Sequence, residues 1–453
     1  MKPPPPSSHL TDSRVLGGLF SSERVQGLFT DEAMVRSWLQ AEVGLATAQA
    51  ELGVIPPEAA VDIARAASDH DFDLDELGKD VAFTAHPCIS VIRELAAASR
   101  DGEPYVHLGA TTQDITDTGL VLQCKAAIAV IEEQLGTVQV VLRDLAERYR
   151  DLPMVGRTHA QHALPITLGL KFAVLLTEFQ RHEQRVRELK PRVLVGQLGG
   201  AVGSLAAFGD RGIDILERMM AHLDLEVPVT PWHTSRDGFT ELVSVLAMIS
   251  ASCGKIANEI RVLQRTEVAE LEEPFVDGKV GSSTMPHKKN PMYAEFIIAN
   301  AILAREKPAG MLTAMMQEHE RDMTMWGVEW TVIPDAFTLA SGLLDKTNFL
   351  LSGLIVHREN IHKNLHQLGD LMLSEVAMMA LSKGLGKVEA HDLVYAAAMQ
   401  SWSTGQSLIG SLVQQDGFAQ AGVTAAELSR LLVPENYTGL SGELVDRALR
   451  AAS

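Results

Sequence analysis

The chain has 453 residues, a formal net charge of −19, 46% hydrophobic residues and only 5% aromatic ones. That length can bury large cores and suggests two or three domains, and a composition rich in Ala, Leu and Val favours helix packing over sheet. The acidic balance excludes nucleic acid as a partner, because phosphate binding needs a basic surface; an anionic substrate would require scarce cations to be gathered locally.

The start, Met1-Lys2 followed by Pro3 to Pro6, has no apolar signal region, and disorder is expected up to about Leu10. No run reads as long enough to span a membrane, so no membrane partner is expected and the cytoplasm is the default location. A helix is predicted from Asp31 to Leu52, stopped by Gly53 and Pro56-Pro57, with shorter helices to about Ser99. Asp101-Gly102-Glu103-Pro104 reads as a turn at a domain boundary. Beyond it, Leu120, Cys124, Ala127, Ile131, Leu135, Val138, Leu142 and Leu145 recur at steps of three and four. Leu242, Leu246, Ile249, Cys253, Ile256, Ile260 and Leu263 do the same. Similar segments run over 166–189, 293–316 and 334–355, so the expectation is an all-α protein with an elongated central helix bundle. After about His357 the helices become shorter and more charged. The division expected is 1–106, 107–356 and 357–453. Three widely spaced cysteines, Cys88, Cys124 and Cys253, suggest buried thiols rather than a disulfide framework or a metal site. The glycine cluster from Val195 to Gly209 lacks the order of a phosphate-binding loop.

Polar stretches interrupt the bundle pattern, each placed near a helix end. In Tyr105 to Asp114, the run Thr111-Thr112-Gln113-Asp114 reads as a helix N-cap, which can also present donors to a carboxylate. In Gly156 to His162, two histidines three apart lack a third metal ligand and suit structural or acid–base roles. Gln317 to Asp322 is a charged run that, alone, would be a solvated face. Between the long helices lies Gly281-Ser282-Ser283-Thr284-Met285-Pro286-His287-Lys288-Lys289-Asn290-Pro291, whose glycine and prolines forbid a continuous helix.

That last stretch matches every fixed letter of G-S-S-x-M-P-x-K-x-N-P and resembles the signature loop of the fumarase/aspartase superfamily. His86, His107, Thr111 to Asp114, Arg157 to Gln161 and His319-Glu320-Arg321 follow in the order seen there. The resemblance is strongest to the 3-carboxy-cis,cis-muconate cycloisomerase and adenylosuccinate lyase branch, through Gly199-Gly200-Ala201, Pro231-Trp232-His233-Thr234 and Trp326 to Trp330. It implies three helical domains, a homotetramer with a twenty-helix core, and active sites shared between subunits. It also implies cofactor-free and metal-free chemistry on a small dicarboxylate-type substrate. Ser282 would be the base, Lys288 and Asn290 would stabilise the aci-carboxylate intermediate, and His159 would be the general acid held by His86 or by a glutamate from a neighbouring subunit. Substrate binding would fall to His107, Thr111, Thr112, Gln113, Arg157, Thr158, Gln161, Met285 and Arg321.

Three positions depart from the relatives. Bacterial cycloisomerases of this group commonly carry tryptophan where this chain has His159, the residue that protonates the leaving group in eliminating lyases. Pro87 follows His86 where adenylosuccinate lyases often place an aspartate, and Ser235 replaces a usual glutamine. The expectation is a lyase that eliminates a group from a succinyl-type substrate to give fumarate or an analogue, by C–N cleavage with an amine or nitrite leaving. The alternatives are 3-carboxy-cis,cis-muconate cycloisomerisation and a silent structural protein on the same scaffold, as in lens crystallins.

Overall fold

The computed structural model describes residues 9–451 except 276, 277, 279–281, 283 and 286. Gly281, Ser283 and Pro286 of the signature loop therefore lie outside the described residues, as does most of the N-terminal stretch expected to be disordered.

Helices dominate. We label α1 (Asp31–Glu51), α2 (Thr112–Arg148), α3 (Leu168–Val193), α4 (Asp237–Leu263), α5 (Met292–Arg305), α6 (Trp326–Ser352) and α7 (Arg358–Leu365). The strands are β1 (Pro153–Thr158), β2 (Gln161–Thr167), β3 (Leu271–Glu272) and β4 (Ile355–Val356), paired antiparallel as β1–β2 and β3–β4. α1 is capped by Thr30, whose side chain accepts from Ala33 N, and it ends at Glu51, one residue short of the predicted Leu52. Helix 293–316 is in fact two, α5 and Lys307–Ala314, with Pro308 in the first turn of the second. A proline is tolerated there because that N–H would have no helical partner. Conversely α6 begins eight residues before Pro334, which lies inside it.

By backbone proximity the chain divides into two compact units. One comprises Met1–Gly136, Arg181–Lys255 and Phe296–Thr347; the other comprises Thr137–Gln180, Ile256–Glu295 and Asn348–Ser453. In the first, Leu120, Cys124, Ala127, Ile131 and Leu135 of α2 are buried along with Leu242, Leu246, Ile249 and Cys253 of α4. Gly254 brings α4 so close to α5 that an added Cβ would lie 2.7 Å from Ala301 Cβ. In the second, Val138, Leu142 and Leu145 continue the α2 seam, and Tyr293 packs on Phe349 with centroids 4.7 Å apart. Cys88, Cys124 and Cys253 are all buried and form no disulfide among the described residues.

One expectation fails. α4 is long and apolar enough to cross a membrane by length and composition, but 67% of its most apolar window is buried inside the protein. Its hydrophobicity is used in packing against other helices.

Candidate functional site

In the first unit the polar residues converge on the start of α2. The Asp114 carboxylate, fully buried, accepts from Thr111 N at 2.9 Å, Gly199 N at 2.8 Å, Gly200 N at 2.9 Å and His233 Nε2 at 2.8 Å. Four donors compensate the desolvation of this charge and tie the glycine-rich 199–200 turn to the helix start. The bond back to Thr111 N is the reach-back half of a capping box, so the N-cap reading holds. Gly109 approaches from the other side with φ 84, and a Cβ there would lie 2.6 Å from the Phe208 ring.

Gln113 is fully buried, and its amide bonds within the protein. Its Nε2 donates to His233 O at 2.8 Å and its Oε1 accepts from Arg321 Nε at 3.2 Å. It therefore orients Arg321, which also donates to Gly200 O at 3.1 Å. The charged run 317–322 thus puts Arg321 onto the α2 start, while His319 and Glu320 stay exposed. Thr112 Oγ1 meets His86 Nε2 at 3.3 Å, and His86 Nδ1 accepts from Ile89 N at 3.2 Å. With Nδ1 an acceptor, the ring proton sits on Nε2, facing Thr112. His107, in a left-handed conformation with φ 60, meets Glu42 Oε1 at 2.6 Å. Burial alone lowers the His107 pKa, but the Glu42 hydrogen bond and charge, aided by Asp114, raise it further than burial lowers it. The Glu42 and Asp114 charges thus hold the His107 imidazole above its ordinary range.

Beneath this surface Arg236, 1% exposed, makes paired bonds to both Asp117 and Glu329 and lies 4.8 Å over the Trp232 ring. Neither Glu42 nor Arg236 was singled out from the sequence. The signal was present for Glu42, a carboxylate four residues after Trp38 and three before Leu45 on the buried face of α1.

In the second unit the histidine pair lies on the β1–β2 hairpin and not at a helix end. The sequence reading missed these strands because the motif residues interrupt their alternation. Thr158 pairs with Gln161, leaving His159 and Ala160 as a two-residue turn with φ 52 and 62. Both positive values mark a type I′ turn, normally occupied by Asn-Gly. Thr158, His159 and Gln161 are all exposed. Arg157, expected to bind substrate, gives both terminal nitrogens to Glu270, at 2.9 and 2.6 Å. Glu270 is fully buried and also accepts from Asn364 at 2.8 Å, so Arg157 anchors the hairpin. His162 Nδ1 is buried without a hydrogen-bond partner among the described residues, and burial, with the neighbouring Arg157 charge, lowers the His162 pKa.

The described residues of the signature loop also lie in this unit. Ser282 Oγ accepts from Thr284 N at 3.3 Å and Met285 N at 3.1 Å. A cavity of ≈ 650 Å³ in the same unit is lined by Met285, Lys288 and Asn290 together with His287, Lys289, Arg261 and Arg265. Lys289 and His357 both bond the Glu272 carboxylate, at 2.6 and 3.0 Å. Burial alone would raise the Glu272 pKa, but these two partners hold it below the usual carboxylate range. Lys288 is exposed; its backbone N–H donates to Met285 O at 3.0 Å, and its side chain makes no hydrogen bond or ion pair among the described residues. The cavity lining sets Arg261, Arg265, Lys288 and Lys289 against Glu272 and Glu295, a local excess of positive charge in a chain whose net charge is −19.

Comparison with known proteins gives a consistent result. The family model described as "Lyase" matches residues 20–304, and that described as "Adenylosuccinate lyase C-terminus" matches 370–448. The chain is 42% identical to an N-acetyl-S-(2-succino)cysteine lyase of Enterococcus italicus, over 98% of this chain and 97% of that protein. It is 38% identical to a 3-carboxy-cis,cis-muconate cycloisomerase of Pseudomonas aeruginosa, over 98% and 97% respectively. The crystal structure of a fumarate lyase from Mesorhizobium sp. BNC1 superposes with a TM-score of 0.89 at 37% identity, covering 95% of this chain and 98% of that one.

Proposed function

The chain belongs to the fumarase/aspartase superfamily of lyases, and we propose from that premise that it eliminates a heteroatom substituent from C2 of a succinate, leaving fumarate. The near-full-length identity to the N-acetyl-S-(2-succino)cysteine lyase supports a thioether substrate, with sulfur in place of the nitrogen expected from the motifs. A thiol is the better leaving group of the two, since its pKa of about 8.5 lets it depart as an anion near neutral pH.

The chemistry maps onto this chain's residues. Ser282 removes a proton from C3, giving a dianionic aci-carboxylate. The electrons then form the C2=C3 double bond as the C2–S bond breaks, and the thiolate takes a proton from His159 or from water. An ordinary serine hydroxyl is too weak a base for this. The single observation that carries the assignment is the pair of backbone N–H groups aimed at Ser282 Oγ, which favour its deprotonated form. Lys288 and Asn290 supply positive charge and a donor for the intermediate. His107, Thr111, Thr112 and Arg321 hold a carboxylate at the α2 start. Gln113 and Arg157 act one step back, by orienting Arg321 and the hairpin. No step calls for a cofactor.

The same proposal includes the three-segment organisation at 1–106, 107–356 and 357–453, a homotetramer with sites shared between subunits, and a cytoplasmic location. Exposure of His159, Thr158 and Gln161 on one protomer supports completion by another, and light scattering showing an active monomer would reject it. Lactonisation of carboxymuconate is the second reading, favoured by the cycloisomerase relative. Incubation with S-(2-succino)cysteine derivatives, aspartate adducts and carboxymuconate, followed by NMR for fumarate and a thiol assay, decides. Fumarate with equimolar thiol is expected. Turnover of carboxymuconate alone would overturn the elimination reading.

A further inference from the structure

Helix α7 carries two polar faces. On one, Asn360 donates to Ala269 O at 2.8 Å, and Asn364 donates to Val268 O at 2.7 Å and Glu270 Oε1 at 2.8 Å. On the other stand His362 and, at the helix C-cap, His366, which the proposed reaction does not use. Spacing by four puts both rings on one face, with centroids 4.5 Å apart.

Opposite them is Glu435, from the short Pro434–Asn436 turn. Its Oε1 lies 2.6 Å from His366 Nε2 and 3.5 Å from His362 Nε2. Candidate ligand atoms from two separate chain segments thus lie within 4.8 Å of one another. Two Nε2 atoms converging on one anionic oxygen form the donor set of a chelate, two imidazoles and a carboxylate. Tetrahedral ligands sit about 3.3 Å apart around zinc, so closing onto an ion needs only small side-chain rotations. The His362 side chain is 69% exposed, which leaves an open approach for the ion and for a water as fourth ligand.

We propose that His362, His366 and Glu435 form a binding site for a first-row divalent transition-metal ion such as zinc. Two imidazoles disfavour magnesium and calcium, which take oxygen ligands. Binding would tie α7 to the 434–436 turn. Because the other face of α7 holds Glu270, which holds Arg157, the ion would also stiffen the base of the hairpin that presents His159.

The test uses the untagged full chain, stripped with a chelator and titrated with zinc chloride by calorimetry. One zinc per chain is expected. His362→Ala and Glu435→Gln should each bind at least tenfold more weakly while keeping the wild-type circular dichroism. Zinc should raise the thermal midpoint of the wild type and leave that of His362→Ala unmoved. Absence of zinc binding by the wild type, or equal binding by both variants, would overturn the site. This outcome is independent of turnover, so it stands apart from the elimination proposal.

Discussion

At the start of α2 the Asp114 carboxylate is fully buried and takes four hydrogen bonds, whereas at the hairpin tip His159 is exposed on a left-handed backbone. The first region is set by one protomer's own folding: Asp114 fixes the 199–200 turn, Gln113 fixes Arg321, and Glu42 fixes His107. In the second, the base is held by the Arg157–Glu270 pair, and Thr158, His159 and Gln161 stay exposed. Groups that must recognise a carboxylate gain from rigid placement, while groups that move protons must remain accessible until substrate arrives.

Five experiments can break or sharpen that contrast, from the largest expected effect down. Ser282→Ala should abolish turnover, by roughly a thousandfold or more, while dicarboxylate binding persists, because the base is lost and the α2 contacts remain. Steady-state kinetics with a calorimetric binding assay checks it, and unchanged turnover would move the base elsewhere.

Asp114→Asn should cost about 3–5 kcal/mol of stability, since it places an amide donor among four donors in a buried site. Denaturant unfolding measures this; a loss under about 1 kcal/mol would mean that the turn is held by other contacts.

His159→Asn tests the leaving group. General acid catalysis contributes on the order of a hundredfold or more, so an amine substrate should suffer that loss. A thioether substrate should lose less, because its thiolate departs as an anion. Stability should not change in this variant. Ala160→Gly, at the neighbouring position, should instead stabilise by about 1 kcal/mol, since glycine meets no steric cost at φ 62. An unchanged unfolding midpoint would show that the turn is not strained.

The smallest effect concerns pH. Because its folded pKa is raised, the His107–Glu42 pair contributes stability that is fully present below the unfolded imidazole pKa of about 6.5 and is lost as pH rises through the higher folded value. NMR should show His107 titrating above an ordinary imidazole in wild type and falling in Glu42→Gln.

Much of this was decided by local order along the chain. The period of apolar residues in α2 and α4 determined that they are helices, because buried positions three and four apart share a face. The spacing of Ser282, Met285, Lys288 and Asn290 determined the signature loop, and Thr111 to Asp114 determined a cap. Tertiary structure decided what those polar residues do. Arg157 and Gln113 read as substrate ligands from their motifs, yet each is committed to a partner 113 and 208 residues away. The hairpin around His159 was hidden for the same reason: its base depends on Glu270 and Asn364, and a strand two residues from a turn has no helical or alternating period of its own. Local pattern sets which face of an element is buried, but a buried ion pair depends on distant charges meeting, and only the folded chain brings them together.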